Sequence, residues 1–343
     1  MSTGQKLRVV MVGCGGRAQE HIAALLECGA VELLALCDLD EKKLKDTGAR
    51  FKVPKLYTKM EEAIQLEKPE LVDICTPPTI RSRIVEPAIQ AGAPHVLIEK
   101  PIALEPQTAR QLLELGRNRL IAVNTQCQWM PHWQRFWEML RERAFGEILR
   151  IYCGSASNIL EQGPHVLDLA LKATRLSGLP DPDWVLANCF GLERYGTTPV
   201  PADTSATIGV GDARIHLNQG PSARRTPGEK CFWFHKTVDI QCAKGRIYVT
   251  LGQGWTYWLD GKSESGPTSW EKDNPAAQRA LYANLRDAIH TGAWNEFPTR
   301  IQVAAQVSDV MFACYASACG GGRVKLPTEF PAAVVDRLEM LPK

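Results

Sequence analysis

Two hydrophobic rhythms divide the chain. Through about residue 125, short apolar runs alternate with stretches whose apolar residues recur every three or four positions. The runs "LRVVMVG" (7–13), "VELLALCD" (31–38), "ELVDICTPP" (70–78), "HVLIEK" (95–100) and "LIAVNTQ" (120–126) predict buried strands, with a shorter, irregular one near "PKLYT". Between them "RAQEHIAALLECG", "DEKKLKDTGARF", "MEEAIQLEK", "RSRIVEPAIQAG" and "EPQTARQLLELGRN" predict amphipathic helices. Strands that alternate with helices imply right-handed βαβ units and a doubly wound, mostly parallel sheet.

The rhythm then changes. "HWQRFWEMLRERAFG" predicts a helix, and long strands follow with few helices between them: "ILRIYCGSAS", "DWVLANCFGLERY", "TSATIGVGDARIHLNQ", "KCFWFHKTVDIQCAKGRIYVTLG" and "WTYWLDG". Turn residues such as "KG" and "DG" separate them, which predicts antiparallel hairpins. Helices over 275–291 and about 300–319 and a last short strand, "RVKLP", close the chain. The expected architecture is α/β: a Rossmann domain over 1–125, then an α+β domain over 126–343 with a large, mostly antiparallel sheet. The C-terminal helices are candidates to pack back on the first domain.

Composition narrows the classes. Lys plus Arg number 40 against 38 Asp plus Glu, so no global field favours nucleic acid or an acidic membrane surface. No apolar stretch approaches the length of a membrane span. The 11 cysteines are scattered without a CxxC pair, which points to reduced thiols and a cytoplasmic setting.

Chemistry enters with "MVGCGGRAQEHIAAL". Gly13, Gly15 and Ala18 form G-x-G-x-x-A between a predicted strand and helix, with Gly16 and Arg17 in the same turn. The first glycine permits the turn, the second lets backbone approach a pyrophosphate, and the small third residue packs helix on strand. Asp38 follows about 20 residues later at the end of the second strand, where a carboxylate accepts ribose hydroxyls and repels a 2′-phosphate. The expected cofactor is NAD; alternatively, Asp38 caps the helix at 40–46. Thr76 and Pro77 end the fourth strand on the same edge as the glycine loop. "HVLIEK" ends there too, in Glu99 and Lys100, followed by Pro101. A lysine near a nicotinamide ring can stabilise a forming alkoxide; a surface Glu–Lys pair is the plainer alternative.

The order "VGCGGRA", "ALCD", "CTPP", "IEKP" and "GPHVLDLALKATRL" resembles the Gfo/Idh/MocA oxidoreductases over nearly the whole chain. The resemblance implies that Lys100 is catalytic and that Glu99 positions the nicotinamide end of the cofactor. It also implies that one face of the second-domain sheet forms a homodimer or homotetramer.

In "NILEQGPHVLDLALKATRL", Gly163 is a candidate N-cap and Pro164 a first helical residue, which puts His165 in the first turn and Asp168 on the same face. A helix N-terminus lowers the pKa of a histidine there, whereas Asp168 raises it; the plainer alternative is that both are helix-start residues complementing the dipole. The family pattern is similar to D-x-x-x-H-x-x-D, which implies that His165 is the acid/base and Asp168 a supporting contact. Glu161 stands where the family commonly shows Asp. Arg81 stands near a family histidine, and Gln128 replaces an arginine. Asn124 and Trp129 are further candidates to line the site. No additional His or Cys lies at ligand spacing, so no metal is expected. The aromatic runs "CFWFH" and "WTYWLD" are assigned to sheet core or an oligomer face in preference to a sugar platform.

The leading expectation is an NAD-dependent dehydrogenase acting on a secondary hydroxyl of a sugar, sugar acid or cyclitol. The alternatives are an NAD-dependent glycoside hydrolase and a non-catalytic NAD-sensing protein. The partner is a small carbohydrate-like molecule.

Overall fold

The computed structural model describes residues 4–341. The chain divides into two compact units, Met1–Trp129 with Pro275–Ala305, and Met130–Asn274 with Gln306–Lys343. Against the 125/126 division drawn from sequence, residues 275–305 join the first unit.

The first unit is a six-stranded sheet of β1 (Leu7–Val12), β2 (Val31–Cys37), β3 (Leu56–Tyr57), β4 (Leu71–Ile74), β5 (Val96–Glu99) and β6 (Ile121–Asn124). Its order is β3-β2-β1-β4-β5-β6 and every pair is parallel. This is the doubly wound dinucleotide-fold order. The helices α1 (Gly16–Glu27), α2 (Glu41–Phe51), α3 (Met60–Glu67), α4 (Arg81–Gln90) and α5 (Pro106–Leu115) follow the first five strands. β4, β5 and β6 are buried along their whole length, which is why they read as unbroken apolar runs. Beyond β6, Ala122 bridges Arg300 antiparallel and the Val123 N–H donates to Thr299 O at 2.8 Å, tying the late segment to this unit. Asp40, rather than Asp38, caps α2, accepting from the Lys43 N–H at 3.0 Å.

The second unit begins with α6 (Pro131–Arg141) and β7 (Ile148–Ser155), then α7 (Gly163–Leu176). It continues through β8 (Trp184–Tyr195), β9 (Thr198–Val210), β10 (Ala213–Gln219), β11 (Lys236–Cys242), β12 (Gly245–Thr250), β13 (Gly254–Leu259) and β14 (Lys262–Gly266). The long helices α8 (Trp270–Thr291) and α9 (Ile301–Gly320) each run through a boundary between the units, and β15 (Val324–Lys325) completes the sheet.

The order is β14-β13-β12-β11-β7-β10-β9-β8-β15, antiparallel except for the parallel β7–β10 pair. One cross-strand row runs Val185, Ile208, Ile215, Ile151, Ile240, Ile247, and all six side chains are fully buried. β-branched residues pack well on a pleated face, and α7 lies over this one. The adjacent row, Leu186, Thr207, His216, Tyr152, Asp239, Tyr248, faces the other way and mixes aromatic, apolar and charged groups. Asp260 and Gly261, both at positive φ, make the tight β13–β14 turn that "DG" predicts.

The sheet-core half of one assignment fails. "CFWFH" lies outside the sheet, as a short 3₁₀ turn with Phe232 and Trp233 each 44% exposed. Its neighbour β7 ends at Ser155, whose partner is Lys236, so residues before Lys236 have no strand to pair with. None of the 11 cysteines is in a disulfide, and nine of them are buried. Among the described residues, no helix is long and apolar enough to cross a membrane.

Candidate active site

The carboxyl edge of the parallel sheet collects the candidates from the first unit. Gly13 leaves β1 with φ +104°, and a Cβ on it would stand 2.4 Å from the carbonyl oxygen of Cys75, just past β4. Only glycine meets both demands. Around Gly15 and Gly16 a Cβ would meet nothing within 4 Å. No side chain caps the first turn of α1 and no acid lies in it, so its N–H groups and positive end suit a phosphate. Ala18 is buried where α1 leans on the sheet.

Asp38 sits beside this loop. Its Oδ2 accepts the Cys14 N–H at 2.7 Å and its Oδ1 the Asp40 N–H at 2.9 Å, which ties the acid to the glycine turn. Each oxygen keeps a second lone pair for a ribose hydroxyl. Leu39 is 89% exposed and offers no charge for a 2′-phosphate. On the same edge, Pro77 is exposed, and the buried oxygens Thr76 Oγ1 and Asn124 Oδ1 have no protein partner. The edge therefore has the shape and the spare bonding capacity to hold a dinucleotide.

Beneath it lies a buried polar network. Glu99 Oε1 accepts from Arg17 Nε at 2.9 Å and Asn124 Nδ2 at 2.8 Å, and lies 2.9 Å from His21 Nε2. Its Oε2 accepts the Lys100 N–H at 3.1 Å. The other ring nitrogen of His21 lies 3.0 Å from Asp73 Oδ2, which also accepts the Tyr282 hydroxyl at 2.5 Å. Arg17 reaches Glu20 and Gln278 as well.

Burial alone would raise the pKa of Glu99. The Arg17 charge and the hydrogen bond and charge of His21 outweigh burial and hold it well below the carboxylate range. Burial would likewise lower His21, but the Asp73 charge and the hydrogen bonds to Asp73 and Glu99 lift it to about 9. Burial, then the Asp73 charge, raises Tyr282, keeping its hydroxyl a donor. The Lys100–Pro101 peptide is cis.

Sequence reasoning reached Arg17, Glu99 and Asn124 but missed His21, Asp73, Gln278 and Tyr282. An acid inside the apolar strand "LVDI" and a histidine on the buried face of α1 were the signals available. His21, Cys75 and Glu99 place ligand-type atoms within 4.8 Å of one another. Metal binding there would need a thiolate, whereas burial and the Glu99 and Asp73 charges push the Cys75 thiol far up. The Arg17 guanidinium also already neutralises Glu99.

The second unit assembles its own group. α7 starts at Gly163 with Gln162 at the N-cap position, one residue before the expected cap, and Pro164 fills the first turn. His165 and Asp168 are buried three positions apart. Glu161 is held in the preceding turn, where its N–H donates to Asn158 Oδ1 at 3.1 Å and its carboxylate accepts from Ser157. Asn158 Nδ2 donates to Glu193 of β8 at 3.1 Å. One turn beyond Asp168, the Lys172 ammonium sits 4.9 Å over the Trp137 ring, and burial lowers its pKa to about 8.

Two experiments follow from this geometry. Gly13→Ala should cost several kcal/mol of stability, roughly 3, through positive φ and the clash with Cys75. Gly15→Ala should leave unfolding unchanged within about 1 kcal/mol while weakening NADH binding about tenfold; equal effects on both properties would contradict the assignment. For His21, the folded pKa of about 9 lies above its ordinary 6.5. The stabilisation it gives is complete below about 6.5 and is lost as pH rises through about 9. Wild-type unfolding temperature should therefore fall more steeply than that of His21→Gln between pH 6.5 and 10, and parallel curves would refute this.

Comparison with known proteins agrees with this geometry. Residues 7–124 match a family model described as the oxidoreductase family, NAD-binding Rossmann fold, of Gfo/Idh/MocA. D-apiose dehydrogenase of Paraburkholderia graminis is 27% identical over 169 residues, 48% of this chain and 45% of that protein. Alpha-N-acetylgalactosaminidase of Tannerella forsythia is 29% identical over 160 residues, 43% of this chain and 34% of that protein. The matches thus span less than half the length of either relative. A crystal structure of an oxidoreductase from Agrobacterium radiobacter, in complex with NAD+, L-tartaric acid and magnesium, superposes with a TM-score of 0.79 at 20% identity, over 94% of this chain and 98% of that one. At that identity the likeness is one of fold. Residues 7–124, about a third of the chain, are thus similar to the NAD-binding Rossmann domain of the Gfo/Idh/MocA oxidoreductases.

Proposed function

We propose that this protein is an NAD-dependent dehydrogenase acting on a secondary hydroxyl of a sugar, sugar acid or cyclitol. The observation that carries the reading is Lys100 at the carboxyl end of β5, on the glycine-loop edge, its backbone N–H held by an ionised Glu99. When bound, NAD supplies the hydride acceptor. Gly13, Gly15, Gly16 and the first turn of α1 hold its pyrophosphate, and Asp38 its adenosine ribose. Glu99, Asn124 and Thr76 flank the nicotinamide end. Lys100 donates a hydrogen bond to the substrate oxygen and stabilises the alkoxide. His165 accepts the hydroxyl proton, with Asp168 orienting its ring and Glu161 binding a neighbouring hydroxyl. The likeness to an apiose dehydrogenase supports a carbohydrate substrate.

A second reading shares the cofactor and changes the outcome. The stretch similar to an alpha-N-acetylgalactosaminidase favours a glycosidase that oxidises the sugar, eliminates the aglycone, adds water across the resulting double bond and returns the hydride.

We also propose that a second copy of the chain covers the open face of the second-unit sheet. There Tyr152 and Leu186 are 38% and 45% exposed in one row with His216 and Tyr248. Exposed apolar area of this kind marks interfaces.

Lys100→Ala should lower turnover of a responsive polyol by about 10²–10⁴-fold while the NADH Kd stays within about threefold; retained turnover would end the mechanism. Chromogenic glycoside cleavage by protein that retains NAD, with no net NADH formed, selects the second reading. NAD binding without turnover of either substrate panel leaves a sensor. The double variant Tyr152→Glu, Leu186→Glu should sediment as a monomer at micromolar concentration where wild type sediments as a dimer or larger; a monomeric wild type refutes the interface.

A further inference from the structure

Within the network under Glu99, His21 takes no part in the proposed reaction, yet both of its ring nitrogens face carboxylates. Nδ1 lies 3.0 Å from Asp73 Oδ2 and Nε2 lies 2.9 Å from Glu99 Oε1. A neutral imidazole carries one N–H, so one of these contacts would set a lone pair against a carboxylate oxygen. His21 and Asp73 are fully buried, so no water relieves that conflict. Only the imidazolium donates to both sides. Counting Arg17 and His21 against Asp73 and Glu99, the cluster is then neutral; without the His21 proton it holds one uncompensated negative charge.

We infer that His21 is a buried imidazolium strut, a positioning residue that fixes the Glu99 carboxylate and, through it, the backbone of Lys100 beneath the cofactor. The inference rests on the reading of this edge as the nicotinamide end of the site. The groups that face the ring are Arg17 from its own helix, Asp73 from β4, Cys75 just past it, Glu99 from β5 and Tyr282 from α8. β6 contributes the neutral Asn124, whose Nδ2 lies 2.7 Å from His21 Nε2. A neutral ring with its proton on Nδ1 would find a donor there, and the tautomer measurement below decides between the two forms.

Tyr282 arrives 209 residues after Asp73 in the chain and shares the oxygen that His21 uses, so α8 closes the far end of the strut. At the near end, Glu99 presents one oxygen to three donors and the other to the Lys100 N–H. Loss of the His21 proton removes one of those donors and turns its partner contact repulsive. The carboxylate must then rotate, and the Lys100 N–H loses its acceptor.

Two measurements test this without any substrate. In protein labelled with ¹⁵N-histidine, the His21 signal is identified by its loss in His21→Gln or, should that variant not fold, by its shift in Asp73→Asn. Both ring nitrogens should show imidazolium shifts at pH 7.5, with a midpoint at least about one pH unit above the ordinary value. Asp73→Asn should lower that midpoint by about one unit or more. A neutral tautomer at pH 7.5 overturns the inference.

NADH affinity, read by fluorescence from pH 7.5 to 9.5, should fall about tenfold in wild type. It should be weaker and flat with pH in His21→Gln, whereas the same pH slope in both proteins would refute the positioning role. Neither readout depends on turnover. A Lys100→Ala result that sinks the dehydrogenase mechanism therefore leaves this inference intact, and the reverse also holds.

Discussion

Three donors from two elements converge on a single oxygen of Glu99: the guanidinium of Arg17 and the ring of His21 from α1, and the amide of Asn124 from β6. A carboxylate taken out of water would ordinarily protonate, because burial disfavours the charged form. Here the surrounding cations reverse the outcome, and the anion becomes the stable species. That constraint orders much else in the first unit. α1 must lie close enough to β4 and β5 for a short side chain to bridge them, which requires the small Ala18 at the crossing and the glycine turn that launches the helix. The late helix α8 must belong to the same unit to deliver Tyr282 to Asp73. The glycine motif and the polar network are therefore linked: the turn that makes room for phosphate also sets the depth of the helix that carries Arg17 and His21.

Most of this unit was legible in the sequence, for a physical reason. Strands buried on both faces read as apolar runs, and their carboxyl ends hold the loops where ligands bind, so Gly13, Asp38, Thr76 and Lys100 could be placed on one edge before any coordinates. The network was less legible. His21 sits among Ala18, Ile22 and Leu25 on the buried face of α1, where periodicity records a polar interruption but cannot name its partner. Asp73 is a similar interruption in β4. Tyr282 and Gln278 left no local trace, because their roles exist only through contacts with residues more than 150 positions away. The C-terminal helices were candidates from sequence to pack back on the first domain, but helix periodicity gives a buried face without naming the residues it meets.

The second unit was legible in its alternation and misread where alternation ends. The row from Val185 to Ile247 is a period-2 pattern written across six strands, and it places α7 on one face only. "CFWFH" has the composition of a strand, but a strand needs a neighbour, and β7 stops where that segment would have to pair. β-propensity describes fitness for a pleated surface, and no such surface is present at that point.

The departures from the family pattern acquire a physical meaning from their surroundings. Arg81 and Gln128 are both buried. Arg81 Nη1 lies 3.5 Å from the Ile74 carbonyl, and Gln128 Nε2 donates to Thr125 Oγ1 at 3.2 Å. Each long polar side chain is thus buried with at least one partner in its own unit. Glu161 differs in kind. Its extra methylene would leave the carboxylate loose, yet Ser157 and Asn158 restrain the turn, and Asn158 in turn grips Glu193 on β8. This last contact reaches into the stretch around 190–204, which carries no readable motif. Hydroxyl recognition depends on polar groups held in place before the ligand arrives, since ordering them on binding costs affinity. On the proposed reading, the Glu161 turn meets that requirement, because its hydrogen bonds to Ser157 and Asn158 hold it in place without a ligand.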